Sequence, residues 1–456
     1  MDQPHWKSAT VEKIKTERGE EGASESEQQR RPRPQFHVES SSQYTSKISA
    51  NLELPLGTVF STISRSDLSE FDFPIYQAKV TNVKDIASYS WVEGQESTII
   101  VPGILPKWTS KNKTIWTNLD KGDYFKDPNA ARFPSYPLAP VVQAIFETDV
   151  DFQPSEIGLV ACGSSIGNLL RFVQQDYNIK SYTVSKSFRF LVEVVGDTVF
   201  FVRREKSPTE TIANMHGYWH GFIKEQTISI VDSAGATESH QRIVGYQFAG
   251  MNMLVRFEAD GHLPHPQEVS GISYGQEQAK TDEAIKEDPT TNTQDLIPDT
   301  GLEVVAGKWG VPLSALFDLK TRTIKYQHRN ILEEQLPRLW IRQLPYFIVA
   351  YHESGSGCFH PVNTKMSNVT EAIIEWEQRN ENDLRKLVSL INKIVSAVKK
   401  MPDGRLEVRC GEDGDILELR SQTADVPPVL PTGLAARWCS TAEALKEESK
   451  DMEMGM

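Results

Sequence analysis

Two short motifs combine carboxylates with a lysine at spacings that suit chemistry on phosphate. The first, R-F-E-A-D, holds Glu258 and Asp260, and the second, F-D-L-K, holds Asp318 and Lys320. Side chains alternate along a strand, so the two residues of each pair are expected to share a face. Three acids from two adjacent strands can hold a hard divalent cation, which prefers several carboxylate oxygens. A lysine beside them would orient water and stabilise the charge that develops on phosphate.

The surroundings of the two motifs strengthen this interpretation. Each motif follows an apolar run rich in β-forming residues, and the acidic stretch 266–300 lies between them. Without that stretch the motifs are near neighbours in sequence. The arrangement has the logic of a nuclease core written D…(D/E)-x-K. The pattern therefore predicts a metal-dependent site that hydrolyses phosphate esters.

The elements that must position these motifs are mainly predicted hairpins. Paired β-rich runs flank turns at Gly196-Asp197, at Ala249-Gly250 and at 411–415, and single strands are predicted at Leu313–Leu319 and Tyr346–His352. Apolar residues at a period of 3.6 predict a helix over 384–398, and a second helix is expected over 325–343. Strands outnumber helices. The sequence predicts an α+β fold of mostly antiparallel sheets with flanking helices around a (D/E)-x-K nuclease-like core.

Composition divides the 456 residues into one folded domain with polar segments. Residues 1–50 carry Glu, Ser, Gln and Arg runs and are expected to be disordered. A single domain is predicted over 51–421, with a disordered acidic insert at 266–300 and a mobile tail at 422–456. The net charge of −13 is concentrated in the insert and the tail. The nearly balanced body therefore remains compatible with a basic channel for nucleic acid.

Other features exclude whole classes of protein. No run of about 18 apolar residues occurs, so no membrane span is expected. The four cysteines include no C-x-x-C pair, which argues against a zinc ribbon and a disulfide framework and favours a reducing compartment. A basic patch at Arg30, Arg31 and Arg33 is compatible with a nuclear signal and with a solvated tail. The sequence thus leaves nucleus and cytoplasm open as locations, with the nucleus favoured.

The order of several motifs resembles that of the DXO-type RNA decapping nucleases. The motifs are Gly217-Tyr218 with Phe222, Glu258-Ala259-Asp260, Asp318-Leu319-Lys320-Thr321, Trp340 with Gln343, and the strand Phe347–Tyr351 followed by Gly355. The resemblance runs from about residue 70 to 420. It is sharpest at the Asp318 motif and at Gln343.

The resemblance implies roles for individual residues. The positions that would bind Mg²⁺ or Mn²⁺ are Glu258, Asp260, Asp318 and Leu319. Lys320 and Asp318 would be catalytic, and Gln343 with Lys320 would contact the substrate. The implied substrate is the 5′ end of RNA, and a 5′→3′ exoribonuclease is the implied protein partner.

Two positions depart from the pattern of that family. Gly163 stands where the family has an arginine, and Ile223 stands where it has a glutamate after Phe222. Glu225 lies two residues beyond Ile223 and is a candidate replacement. One phosphate-binding side chain and one metal ligand would therefore be missing or supplied from elsewhere.

Three functions remain open at this point. The first is a metal-dependent hydrolase that removes incomplete or non-canonical caps from RNA 5′ ends, with 5′→3′ exonuclease activity as an extension. The second is a catalytically degenerate relative that binds RNA or a protein partner in RNA processing. The third is a serine esterase, because Gly163–Gly167 matches G-x-S-x-G with Ser165 as the nucleophile. His216 and His220, four residues apart, also have a spacing that suits zinc on a helix.

Overall fold

The computed structural model describes residues 54–68, 78–95, 97–122, 124–174, 187–212, 216–229, 235–264 and 301–440. The chain from Glu53 onward forms one compact unit. The predicted N-terminal tail at 1–50 and the acidic insert at 266–300 lie outside the described residues. Both therefore stay predictions.

Strands make up much of the described chain. In chain order they are β1 (Val59–Ser64), β2 (Val80–Val92), β3 (Thr98–Val101), β4 (Lys107–Trp108), β5 (Ile115–Trp116), β6 (Leu159–Cys162), β7 (Phe188–Val195), β8 (Thr198–Arg204), β9 (Thr227–Ile228), β10 (Thr237–Phe248), β11 (Met251–Glu258), β12 (Gly261–His262), β13 (Glu303–Ala306), β14 (Leu316–Thr323), β15 (Tyr346–His352), β16 (Cys358–Asn368), β17 (Arg405–Cys410) and β18 (Ile416–Arg420).

These strands form two sheets. Within the described residues the larger sheet has eleven strands in the order β1-β18-β17-β7-β8-β6-β11-β10-β2-β3-β13, and the smaller has seven in the order β5-β16-β15-β14-β12-β4-β9. The hairpins β7–β8, β10–β11 and β17–β18 confirm the three predicted turns. The predicted α+β class is confirmed.

The sheets are mixed, which refines the expectation of mostly antiparallel pairing. Parallel pairs join β6 to β8 and β11, β3 to β13, β4 to β12, and β14 to β15. A parallel pair needs a crossover connection, commonly a helix. The helix expected between the strands at Leu313–Leu319 and Tyr346–His352 makes that crossover for β14 and β15.

Seven helices precede the C-terminal segment in the described part of the chain. They are α1 (Pro128–Arg132), α2 (Ala139–Thr148), α3 (Gly163–Gln174), α4 (Trp219–Gln226), α5 (Ile331–Arg342), α6 (Thr370–Arg379) and α7 (Glu381–Val398). The helix predicted over 384–398 is confirmed as part of α7. The helix predicted over 325–343 begins later, at Ile331, because the Asn330 side chain caps it by accepting a hydrogen bond from the Glu333 amide.

Helices cover both faces of the larger sheet. On one face α3, α5, α6 and α7 bury a core that includes Leu169, Trp340 and Leu387. On the other face α2 contributes Val141 and Ile145 to a second core. Among the described helices, none is long and apolar enough to cross a membrane.

The segment after β18 packs on this second core, although we expected 422–456 to be mobile. Residues 432–440 are helical, and Leu430, Leu434 and Trp438 are buried. The Trp438 indole donates a hydrogen bond to Thr198 Oγ1 at 3.0 Å. The folded part therefore extends past the predicted boundary at 421, because this segment supplies apolar residues that the second core needs.

The chain passes between the two sheets at the first acidic motif. Glu258 is the last residue of β11 in the larger sheet, and Gly261 begins β12 in the smaller sheet, where it pairs with Phe317 of β14. Gly261 leaves room for this pairing, since a Cβ atom there would lie 2.4 Å from the Phe317 ring. We had expected β11 and β14 to be adjacent, but they lie in different sheets. The short strand β12, which pairs with β14, connects the two motifs.

Candidate functional site

The predicted acids lie near one another at the passage between the sheets. Asp260 is buried in the connection after β11, and its Oδ2 accepts a hydrogen bond from the Leu319 amide of β14 at 2.6 Å. This bond ties the first motif to the second. We had expected Glu258 and Asp260 to share one face of a strand. They do not, because β11 ends at Glu258.

Asp318 is the centre of a cluster of positive side chains. Its Oδ2 accepts a hydrogen bond from Arg342 Nη1 at 2.8 Å and forms an ion pair with Arg338 Nη2 at 2.9 Å. Its Oδ1 lies 3.5 Å from Lys320 Nζ. Arg338 and Arg342 are four residues apart on α5, so both side chains reach the same carboxylate from consecutive turns. Three acids and three bases thus meet in one place, which we call the charged cleft: Glu258, Asp260, Asp318, Lys320, Arg338 and Arg342.

Opposite charges govern the protonation of Asp318, whereas burial and a neighbouring arginine govern that of Lys320. Burial alone would raise the pKa of Asp318, but Arg338 and the neighbouring bases lower that pKa to about 2. Burial and the nearby Arg338 lower the pKa of Lys320 to about 8, against the opposing effect of Asp318. At neutral pH the Asp318 carboxylate is therefore ionised, and Lys320 carries a proton that it can lose in mildly alkaline solution.

The other two acids resist ionisation. Burial and the neighbouring Asp260 raise the pKa of Glu258, and burial and Asp318 raise the pKa of Asp260. The Glu258 side chain nevertheless remains accessible to solvent. An enclosed yet accessible carboxyl group indicates a concave site, in which protein surrounds the group on most sides. A raised pKa favours the protonated form of Glu258, which can donate a proton to a reacting group.

Gln343 and Leu319 use their polar groups within the protein. Gln343 ends α5 in the left-handed conformation with φ of 52°, and its side-chain amide donates a hydrogen bond to the Trp340 carbonyl at 2.5 Å. The Leu319 carbonyl accepts a hydrogen bond from the Trp219 indole at 3.0 Å. Neither group points freely into the charged cleft, so their substrate and metal roles stay predictions.

Gly163 and Ile223, which depart from the motif pattern, both pack against residues next to the charged cleft. Ile223 of α4 packs against the apolar cluster that holds Phe317 and Leu319. Glu225 instead lies 3.8 Å from Lys111 in a half-exposed ion pair, and no described contact brings it to the acids. Gly163 begins α3, and a Cβ atom there would make ordinary contacts with Ile341 and Phe257. The structure therefore does not support Glu225 as the replacement ligand.

A divalent cation does not fit the charged cleft as these side chains are arranged. In the described part of the chain, one group of three or more potential ligands has its donor atoms within 4.8 Å of one another, and that group is not the three acids. Both arginines already hold Asp318 Oδ2, and Trp219 occupies the Leu319 carbonyl. The other oxygen of this carboxylate, Asp318 Oδ1, is buried and faces Lys320 Nζ at 3.5 Å.

The group of potential metal ligands with close donor atoms is at the β15–β16 turn and consists of Glu353, Cys358 and His360. His360 Nε2 lies 2.9 Å from Glu353 Oε1 and 3.7 Å from Cys358 Sγ, and His360 Nδ1 lies 3.2 Å from Thr114 Oγ1. These mutual hydrogen bonds account for the proximity of the three residues.

The other two sequence alternatives find little support. Ser165 lies inside α3 with 1% of its surface exposed, so a substrate carbonyl has no access to its hydroxyl. The esterase hypothesis is therefore wrong. His220 pairs with the buried Asp120 at 3.3 Å and stacks on Tyr124, whereas His216 precedes α4 and does not share a helical face with His220.

Sequence reasoning missed the two arginines. The available signal was the i, i+4 spacing of Arg338 and Arg342 within the predicted helix, which places both on one face. The spacing alone does not show which residues this face of the helix contacts. Their role became visible only once the β14–α5–β15 crossover placed the helix beside Asp318.

The fold and the site define an α+β protein with a charged cleft between two mixed sheets. The chain belongs to the family described as a domain of unknown function (DUF8563), which it matches over residues 63–413. No curated protein sequence matches it.

The chain is similar to several solved structures of the Rai1 and Dxo1 kind. Rai1 of S. pombe is 13% identical with a TM-score of 0.48, over 80% of this chain and 99% of that one. Dxo1 of K. lactis, in complex with manganese, is 10% identical with a TM-score of 0.45, over 81% and 99%. Rai1 of Candida albicans, in complex with pU5-Mn²⁺, is 10% identical with a TM-score of 0.48, over 84% and 99%. Similarity at this level leaves the function to be argued from the charged cleft itself.

Proposed function

We propose that this protein acts on the 5′ ends of RNA as a hydrolase of terminal phosphate linkages. The observation that carries the proposal is the convergence of Asp260, Asp318 and Lys320, with the accessible Glu258 beside them. Positive side chains can bind the phosphates and stabilise charge that develops during hydrolysis. Glu258, with its raised pKa, is the group placed to accept or donate a proton.

The place of Mg²⁺ or Mn²⁺ in this proposal depends on the arginines. Structures similar to this chain contain manganese or calcium. In the present chain Asp318 becomes available to a cation only when Arg338 and Arg342 release it. Whether hydrolysis requires a metal is therefore a question for experiment, and no step of the proposed reaction depends on one.

The test is turnover of one RNA sequence with different 5′ ends. Substrates carrying 5′-triphosphate, 5′-monophosphate, 5′-hydroxyl, an incomplete cap and an NAD cap are incubated with protein in EDTA, Mg²⁺ or Mn²⁺, and the products are identified by mass. We expect release of a terminal product from at least one phosphorylated or capped end. Absence of turnover on every end, by a folded protein, would refute the hydrolase proposal.

A second candidate function is binding without catalysis. It is favoured by Ile223, which stands where an acidic ligand was expected, and by the two arginines on Asp318. In that case the protein binds RNA 5′ ends without turnover, and partners such as a 5′→3′ exoribonuclease would perform the chemistry. Binding of 5′-phosphorylated RNA in the absence of product distinguishes this function from the first.

A further inference from the structure

Gly163 brings no side chain to the space between Ile341 and Phe257, the residues that directly precede Arg342 and Glu258 of the charged cleft. Gly163 begins α3 directly after β6, at the position where the resemblance implies a phosphate-binding arginine. A Cβ atom built on Gly163 would lie 3.5 Å from Ile341 Cγ2 and 3.7 Å from Phe257 Cβ. The neighbours of the missing side chain are therefore α5 and the end of β11.

Arg342 reaches the same part of the cleft from α5. It directly follows Ile341, and its guanidinium lies over the Phe257 ring at 5.4 Å from the centroid. The same group donates hydrogen bonds to the Glu258 carbonyl at 3.2 Å and to Asp318 Oδ2 at 2.8 Å. A guanidinium is thus held close to where the side chain of residue 163 would enter.

Arg338 doubles this positive charge. It lies one turn earlier on α5 and contacts the same Asp318 oxygen, while 36% of its side chain remains exposed. A guanidinium carries five N–H donors in a planar fork that matches phosphate oxygens. Each arginine therefore keeps donors beyond its bond to Asp318, and the exposed Arg338 is open to an anion from solvent.

We propose that Arg338 and Arg342 form the phosphate-binding pair of the cleft, and that they bind the terminal phosphate of an RNA 5′ end without a divalent cation. The pair supplies from α5 the positive charge that Gly163 cannot supply from α3. By holding Asp318 it also takes the place of a cation on that carboxylate. This inference rests on the proposed RNA 5′-end function and specifies its chemistry.

Binding of two matched RNAs tests the phosphate preference. Oligouridylates with a 3′ fluorophore and either a 5′-monophosphate or a 5′-hydroxyl are titrated in EDTA and followed by anisotropy. We expect the wild type to prefer the 5′-monophosphate by about tenfold or more, equal to about 1.4 kcal/mol. Arg338→Gln and Arg342→Gln should each remove most of this preference. Arg379→Gln is the matched control, because Arg379 makes an exposed ion pair with Glu333 outside the cleft.

Direct measurement of Mn²⁺ binding tests the second part of the inference. Calorimetry should detect little Mn²⁺ binding to the wild type below millimolar concentration, and tighter binding to the Arg338→Gln/Arg342→Gln double variant, in which Asp318 is released. A melting curve shows whether each variant is folded. A milder variant is Arg342→Lys, which keeps the positive charge but loses the planar guanidinium. It should reduce the preference for the 5′-monophosphate only in part.

The outcomes separate this inference from the proposed function. A 5′-phosphate preference that appears only with Mn²⁺, and that Arg342→Gln leaves intact, would overturn the inference alone. A wild type that distinguishes no 5′ ends in EDTA or Mn²⁺ would overturn both. Preference in EDTA that both arginine variants lose, with the Arg379 control unchanged, would establish the arginine pair.

Discussion

The negative charge of Asp318 compensates three neighbouring positive side chains. Its side chain is fully buried, and it faces Lys320, Arg338 and Arg342. Asp318→Asn should destabilise the fold by about 3–5 kcal/mol, since it removes the buried carboxylate that compensates the largely buried Lys320 and Arg342. Denaturant unfolding measures the change. Combining it with Arg342→Gln should recover part of the loss, and a fully additive double variant would contradict this account.

The same carboxylate gives a pH signature. The folded pKa of about 2 lies below the ordinary value of about 3.9, so the Asp318 contribution is present above pH 4 and is lost as pH falls toward 2. In Asp318→Asn that part of the acid destabilisation should be missing.

Lys320 offers a test of chemistry at the same scale. Lys320→Ala should lower turnover by about 10²-fold or more, because a positive group that stabilises developing charge is removed. Because the pKa of Lys320 is about 8, wild-type turnover should also fall as pH rises from 7 to 9. Lys365→Ala is the control, since Lys365 is an exposed lysine of β16 in the same sheet. Unchanged turnover in Lys320→Ala would remove this residue from the mechanism.

At the scale of elements, α3 and α4 each lack one side chain that the motif pattern calls for. Gly163→Arg with Ile223→Glu should raise turnover in Mn²⁺ above turnover in EDTA, because the two changes add a phosphate-binding side chain and a metal ligand. The Ile223 change should cost about 1–2 kcal/mol of stability, since it replaces a packed aliphatic side chain.

Single-turnover rates against metal concentration measure the effect of this double variant. Glu225→Ala is the companion variant and should behave as wild type, because Glu225 pairs with Lys111. A fast wild type that loses its activity on Glu225→Ala would show that Glu225 is the ligand after all.

The C-terminal segment is an element that the sequence did not reveal. Trp438 lies against Phe146, Phe152 and Phe200, with ring centroids 5.5–6.1 Å away. Trp438→Ala should cost about 3–5 kcal/mol of unfolding free energy, because a fully buried indole is lost. Trp116→Ala, at a tryptophan that is 71% exposed, should cost far less. Equal costs would mean that the segment is not part of the stable core.

How far the sequence predicts these features depends on whether the signal is local. Alternation along β14 was enough to pair Asp318 with Lys320, and the period of α7 was enough to identify that helix. The contact of Arg342 with Asp318 joins residues from different elements, so no local pattern contains it. The segment 422–456 was predicted to be a mobile tail, yet Leu430, Leu434 and Trp438 find their partners in the folded core.

At the scale of the whole molecule, the acidic stretch 266–300 lies between the two motifs of the cleft and outside the described residues. Its replacement with a short Gly-Ser linker should shift the unfolding midpoint by less than about 5 °C, because long surface insertions cost little closure entropy. The stretch carries nearly half of the net charge of −13. A larger fall in the midpoint would show that it packs on the domain.

The passage from Glu258 to Gly261 has a mechanical consequence. The chain leaves one sheet and enters the other within these residues, and Gly261 sits too close to Phe317 to carry a side chain. A change in the angle between the sheets would therefore alter the backbone torsions of Ala259 and Asp260, together with those of the other connections between the sheets. Asp260 holds the Leu319 amide, so such a rotation would act on the β14 backbone next to Asp318. Through Asp260, the geometry of the charged cleft is therefore coupled to the relative orientation of the two sheets.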